Sequence, residues 1–315
     1  MSSINDVKSD ETYSDAILRV VSDSREDLDH FVIPTEPGRQ SHAQLPILDD
    51  SNAPSIIGLG RLRHLPFEIM LPIVVRLDLQ SALSFGQAGR ATRWLLASVP
   101  EYRRLHDLAP ACLWAMHRTR LAKHVDIATL YSTLTTKECF FCGSFGGFIF
   151  LVAAARCCFV CLSLQPSCKI YPLRHLRIRL GGSHPVAIRK RYRVFQCLPE
   201  VCDSGENWGK LAGLSTDRFV RTTSSSAYML GQFRYMDQDY RKYRRSASAR
   251  LPYLDMGTGE VQSGVSCKGC RMHPGEDRHG NEDKFSDRQK LYSRQELLQH
   301  FHGCKYAKEL LASAK

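Results

Sequence analysis

Long apolar runs are missing from this chain. A bilayer-spanning helix requires roughly 20 such residues, whereas the most apolar stretch, Phe145 to Ala155, stops at Arg156. A secretory leader is missing too, because Met1 to Asp15 is polar and acidic rather than basic and then apolar. These absences set the expectation of a soluble, intracellular protein of the cytoplasm and/or nucleus. Catalytic signatures are equally scarce. Gly143-Ser-Phe-Gly-Gly lacks the lysine of a phosphate loop. Neither a His-Glu-x-x-His helix nor a Gly-x-Ser-x-Gly elbow occurs. The expectation is a protein that is not an enzyme. No internal repeat of fixed period is visible.

Acidic residues are thin beyond residue 53. Residues 1–53 hold 11 acidic and 4 basic residues, while the remainder holds 21 acidic against 39 basic, a net charge of +18. An acidic tail on a basic body suits a polyanion or an acidic partner, or a tail that screens the body. The tail is rich in Ser, Asp, Pro and Glu, and Ile17-Leu-Arg-Val-Val21 is its one apolar cluster, so disorder is expected there. The basic stretches are His175 to Arg179, Arg189 to Arg193 and Tyr240 to Arg245, the last two interleaving tyrosine with Arg and Lys. Such a pattern can stack on bases and meet phosphates, so weak, non-specific binding of nucleic acid is one expectation.

Cysteine is what the chain has in quantity, with 12 in all. In a reducing compartment clustered cysteines point to metal rather than disulfides. Cys139-Phe-Phe-Cys142 and Cys158-Phe-Val-Cys161 are two C-x-x-C pairs separated by fifteen residues. That spacing suits a closed four-cysteine zinc site, which is structural because no coordination position stays open. Gly143 tolerates the tight turn, and Phe145 to Leu151 suits a covering hairpin. Cys157 stands beside Cys158 and could replace it as a ligand. A second site is expected from Cys267, Cys270, His300 and Cys304, the last two at i and i+4 of one helix running to about Ala312. The 29 residues between its halves exceed usual finger spacing, and His273 and His279 are also available. Two structural zinc ions are therefore expected.

Helical patterning runs from Leu65 to Val125. Pro66 suits a first turn, and Ile69, Ile73 and Leu77 follow on one face. Further helices are expected after Asp78, over Arg90–Val99, and after Pro100 and Pro110. His175 to Leu180 reads as a half-exposed strand, and Ser293-Arg-Gln-Glu296 as a capping box opening the last helix. Pro72 falls inside the first helix, where it is expected to kink it or shift its start.

Leu65-Pro-Phe-Glu-Ile69, with Ile73, Leu77-Asp-Leu79, Leu83 and Trp94, resembles an F-box. The stretches from Ser98 to Leu105 and from Cys139 to Leu162 resemble fungal F-box-like proteins with a cysteine-rich region after the box, as do Cys267-Lys-Gly-Cys270 and Leu298 to Cys304. The resemblance implies docking on the adaptor of a cullin–RING ubiquitin ligase through Leu65, Pro66, Ile69, Ile73, Leu77, Leu79 and Leu83. It also implies a client protein held by the C-terminal body. A zinc-stabilised interaction module outside any ligase is the alternative. The fold class expected is α+β: an acidic tail over 1–55, F-box-like helices over 56–100, linking helices over 101–135 and a four-cysteine site over 136–165. A basic mixed strand and helix region over 166–266 and a Cys/His site with its helix over 267–315 complete it.

Overall fold

The computed structural model describes residues 13–33, 56–168, 170–172, 192–196, 210–214, 247–272 and 288–314. It mixes helices with small antiparallel sheets, in keeping with an α+β class. The expected strand over His175–Leu180, the basic stretch Tyr240–Arg245, and His273 and His279 lie outside the described residues.

Six helices build the N-terminal body after a 3-10 segment, Ile56–His64. A first helix, α1, covers residues 13–21, and its Ile17 and Val21 belong to a separate apolar cluster. The body comprises α2 (Phe67–Val75), α3 (Leu79–Gln87), α4 (Arg90–Ala97), α5 (Pro100–Leu108), α6 (Pro110–Arg118) and α7 (Ile127–Thr135). Proline at the first position of α5 and α6 costs nothing, since those N–H groups have no partner within the helix. Asp78 caps α3 by accepting from the Ser81 N–H at 2.9 Å, and Asp126 caps α7 by accepting from the Thr129 N–H at 2.7 Å. The two caps face each other across an antiparallel bridge. Leu79 N–H donates to Val125 O and Ile127 N–H to Leu77 O, so these helices start from one shared anchor. Leu79, Leu95, Leu96, Val99, Leu105, Leu113, Ile127 and Leu130 form the core beneath them.

Helix α2 runs continuously through Pro72 and begins at Phe67, directly after Pro66, so its start is not displaced. Pro72 lies on the exposed side, so the hydrogen bond it removes frees a carbonyl of the exposed Glu68 rather than a buried one. Met70 and Val74 face inward, whereas Ile69 and Ile73 are about half exposed.

The apolar segment after α7 forms β2 (Phe148–Phe150), which pairs antiparallel with both β3 (Ala155–Cys157) and β7 (Ser248–Arg250). A second sheet joins Ile170–Pro172, Tyr192–Gln196 and Lys210–Leu214, labelled β4, β5 and β6, in the order β4-β6-β5. It is tethered to the body by the Gln196 N–H donating to Thr119 O, and by Arg193 donating to Val152 O. β8 (Tyr253–Leu254) and β9 (Val261–Gln262) form a hairpin.

Arg156 holds these pieces together. It is 3% exposed and donates to the carbonyls of Thr133, Leu134, Gly146, Leu251 and Pro252. Burial pulls its guanidinium down to about 10, with nearby negative groups such as Glu138 opposing the drop, so the cation persists at neutral pH among its carbonyl acceptors. Gly146 is required beside it, because a Cβ there would stand 2.5 Å from Arg156 Cγ. Arg156→Met orphans buried carbonyls, each at a cost of about 1–3 kcal/mol. The expected result is a loss of at least about 3 kcal/mol in urea unfolding followed by far-UV circular dichroism. Arg156→Lys should recover only part of it, because an ammonium lacks the planar fork.

His117, in α6, has a buried Nδ1 without a partner. Burial outweighs the nearby Asp78 carboxylate and lowers it from 6.5 to about 4. A folded-state value below the unfolded one means that the neutral ring supports the fold above pH 6.5, and that this support is lost as pH falls towards 4. His117→Leu should therefore flatten the decline of the urea midpoint between those pH values. An unchanged slope relative to wild type would show that His117 charges freely in the folded state.

Candidate metal centres

The first centre is built from two turns. The Cys139 carbonyl accepts from the Gly143 N–H at 2.9 Å, and Cys139 N–H donates to Ser144 O at 2.6 Å, closing the first turn. Gly143 has φ +73°, where a side chain would be strained. The Phe141 N–H points at Cys139 Sγ, 3.4 Å away. The second turn opens α8 (Phe159–Leu164), where Cys158 is the N-cap and its Sγ accepts from the Cys161 N–H at 3.3 Å. N–H groups aimed at sulfur favour thiolates, the form that binds metal. A β2–β3 hairpin lies between the turns, over residues 148–157 rather than the expected Phe145 to Leu151.

Cys139, Cys142, Cys158 and Cys161 converge, their sulfurs all within 4.8 Å of one another, with Cys142 and Cys158 3.6 Å apart. A tetrahedral ion with sulfur at 2.3 Å gives sulfur–sulfur edges of about 3.8 Å, so the donor set fits a metal. The choice between Cys157 and Cys158 is resolved. Cys158 joins the cluster, while Cys157 lies in β3 within the apolar core, where burial pushes its thiol far up. Cys112 and Cys168 are likewise fully buried outside both clusters. Cys197 and Cys202 lie outside the described residues.

The second centre joins distant parts of the chain. Cys267 ends β10 (Ser266–Cys267), and Cys270 lies in the short helix α9 (Lys268–Met272). His300 is in the last turn of α10 (Arg294–Gly303), opened by the Ser293–Glu296 capping box. The expected single helix to about Ala312 is corrected here. Cys304 is extended, at φ −91° and ψ 109°, and separates α10 from α11 (Lys305–Ser313). Its N–H still bonds to His300 O at 3.0 Å, which keeps the pair together while the chain turns.

Cys270 Sγ lies 3.5 Å from Cys304 Sγ and 3.3 Å from His300 Nε2, and Cys267 Sγ lies 4.0 Å from Cys304 Sγ. These also match tetrahedral edges. Tyr292 stacks on His300 at 4.8 Å and brings its hydroxyl 3.4 Å from Nδ1, the kind of outer partner that orients a metal-binding imidazole. Gly269 admits the close packing of α9 on α11, since a Cβ there would meet Ala307 N at 2.5 Å. His302, on the same helix, is exposed and outside the cluster.

Each set crowds thiols around one negative charge. The Cys158 thiol, then Cys161, donates to Cys139 and holds it far below the usual thiol value, while Cys158 is pushed up to about 12. In the second set the Cys270 thiol draws Cys267 down to about 4, and Cys270 itself moves up. A cation is what allows the remaining thiols to ionise together. Each cluster therefore can hold a metal ion with four protein ligands.

Of the expected docking residues, Leu65, Pro66, Ile69 and Ile73 are exposed and Leu77 is half-buried. Leu79 and Leu83 are corrected: both are buried, Leu79 completely, because the shared α3–α7 anchor turns them into the body. Residues 13–33 carry the structural contribution that sequence reasoning missed. Ile17 and Val21 pack on the second centre, and Ser22 pairs with Cys267. No family model matches the chain, and neither a curated protein nor a solved structure matches it.

Proposed function

We propose that this chain is an F-box-type substrate receptor whose C-terminal body is stapled by two structural zinc ions. The observation that carries the docking half is the outward stripe Leu62, Leu65, Ile69 and Ile73, each 36–51% exposed, on a segment whose inward residues already fill the core. Apolar groups lined up in this way are suited to a partner surface rather than to water. The stripe supports docking on the adaptor of a cullin–RING ligase through Leu65, Pro66, Ile69 and Ile73, with Leu77 at the rim and Leu79 and Leu83 removed from the contact set.

Zinc is favoured at both centres by the donor chemistry. Four sulfurs, or three sulfurs and an imidazole, at tetrahedral spacing suit a borderline-soft ion without geometric preference of its own. Four ligands close the coordination sphere, so each ion would act through folding. The C-terminal body would then hold the client. The reading is tested by co-purification with purified adaptor and cullin. Stoichiometric capture supports a receptor, while zinc-loaded protein that captures neither would be an interaction module outside a ligase.

A further inference from the structure

The residues between Tyr13 and Ile33 form a strap that bridges both metal-bearing units. At one end, Ile17 and Val21 complete the small apolar cluster around Cys267 and Cys304. β1 (Ser22–Asp23) pairs antiparallel with β10, Ser22 opposite Cys267, and Asp23 forms an ion pair with Arg271 just beyond Cys270. In the middle, Arg25 is 4% exposed and donates to Asp27, to Arg288 O and to Gln289. At the other end, Asp29 pairs with Arg250 of β7, and the Ile33 N–H donates to Ser248 O at 2.9 Å.

We infer that the second metal centre is a latch for this strap, so that metal binding there and strap docking stabilise each other. The inference rests on the metal reading given above. The strap supplies no ligand, since all four come from residues 267–304. It does supply the second strand for the ligand-bearing β10 and the apolar cover over the cluster, both of which exist only while the ligands are gathered. Loss of the ion lets α9 and the α10–α11 turn separate, and the strap then loses its strand partner and its apolar bed together. Linkage makes the effect reciprocal, because whatever undocks the strap weakens metal retention by the same factor. The first centre should be spared, since its four ligands lie within residues 139–161 and β1 pairs with β10 rather than with either of its turns. The strap meets that unit through Phe31 against the Phe159 ring, centroids 5.4 Å apart.

The experiment uses the full zinc-loaded chain, mixed with excess of a chromogenic chelator, pyridylazoresorcinol. Release should occur in two phases, that of the second centre being the one absent in Cys304→Ser. Ser22→Pro, which disturbs the strand pairing opposite Cys267, and Val21→Asp, which disrupts the apolar cover, should each accelerate that phase at least tenfold and leave the other unchanged. Trypsin supplies the reciprocal reading. Cleavage after Arg25 should be at least tenfold faster in Cys304→Ser than in wild type, with cleavage of the helical body unaltered. Two bound equivalents with neither rate changed would overturn the latch and leave the metal centres standing. A single equivalent in wild type, retained by Cys304→Ser, would overturn the second centre and the latch with it.

Discussion

Cys142→Ser is expected to unfold the region from residue 136 to 165, an effect far larger than its surroundings suggest. Cys142 is exposed and outside the apolar core. Its replacement therefore removes no packing, and any large effect reports the lost ligand. Structural zinc contributes on the order of 10–16 kcal/mol of apparent binding energy in small sites, against about 5–15 kcal/mol of total stability for an ordinary domain. Cys168→Ser is the control. Cys168 is fully buried but outside both clusters, so it should cost only the roughly 1–3 kcal/mol of a poorly satisfied hydroxyl. Thermal unfolding and metal content together separate the two. A stable Cys142→Ser protein with undiminished metal would show that the first centre is not a four-ligand site.

The docking stripe gives the second large effect. Ile69→Asp combined with Ile73→Asp places two charges on half-exposed positions, where stability should change by about 0.5 kcal/mol or less at each. Adaptor affinity should fall at least a hundredfold, about 2.7 kcal/mol, because binding concentrates in a few apolar anchors. Leu65→Ala with Pro66→Ala should weaken capture too, with zinc content unchanged. Leu79→Ala should behave in the opposite way. It empties a fully buried site and should cost about 2–5 kcal/mol of stability without touching the partner. Equal adaptor affinity in wild type and the Ile69/Ile73 pair, measured by titration calorimetry, would remove the stripe from the interface.

The cysteine pairs were legible in the sequence because metal ligation writes itself as local spacing. Both quartets converge in space, including His300 at four residues from Cys304. The helices after Asp78, Arg90, Pro100 and Pro110 were legible for a similar reason: caps and prolines act on neighbouring residues. What was hidden depends on distant partners. Ile17-Leu-Arg-Val-Val21 cannot bury itself, so the acidic tail was expected to be disordered. Residues 13–33 are instead ordered, because the bed for Ile17 and Val21 is made of residues 267–311. Leu79 and Leu83 share an apolar character with Ile69 and Ile73, and only the bridge between Asp78 and Asp126 turns the first pair inward. Arg156 looked like the end of an apolar run. Its role needs five carbonyls contributed by segments as far away as Pro252.

Native mass spectrometry of the reduced 315-residue chain mixed with purified adaptor is the most direct test, because one spectrum counts metal and partner together. The account predicts a 1:1 complex carrying two zinc ions. A folded chain that carries two zinc ions and binds no adaptor at tens of micromolar would contradict the receptor reading, and a folded chain without metal would contradict both halves.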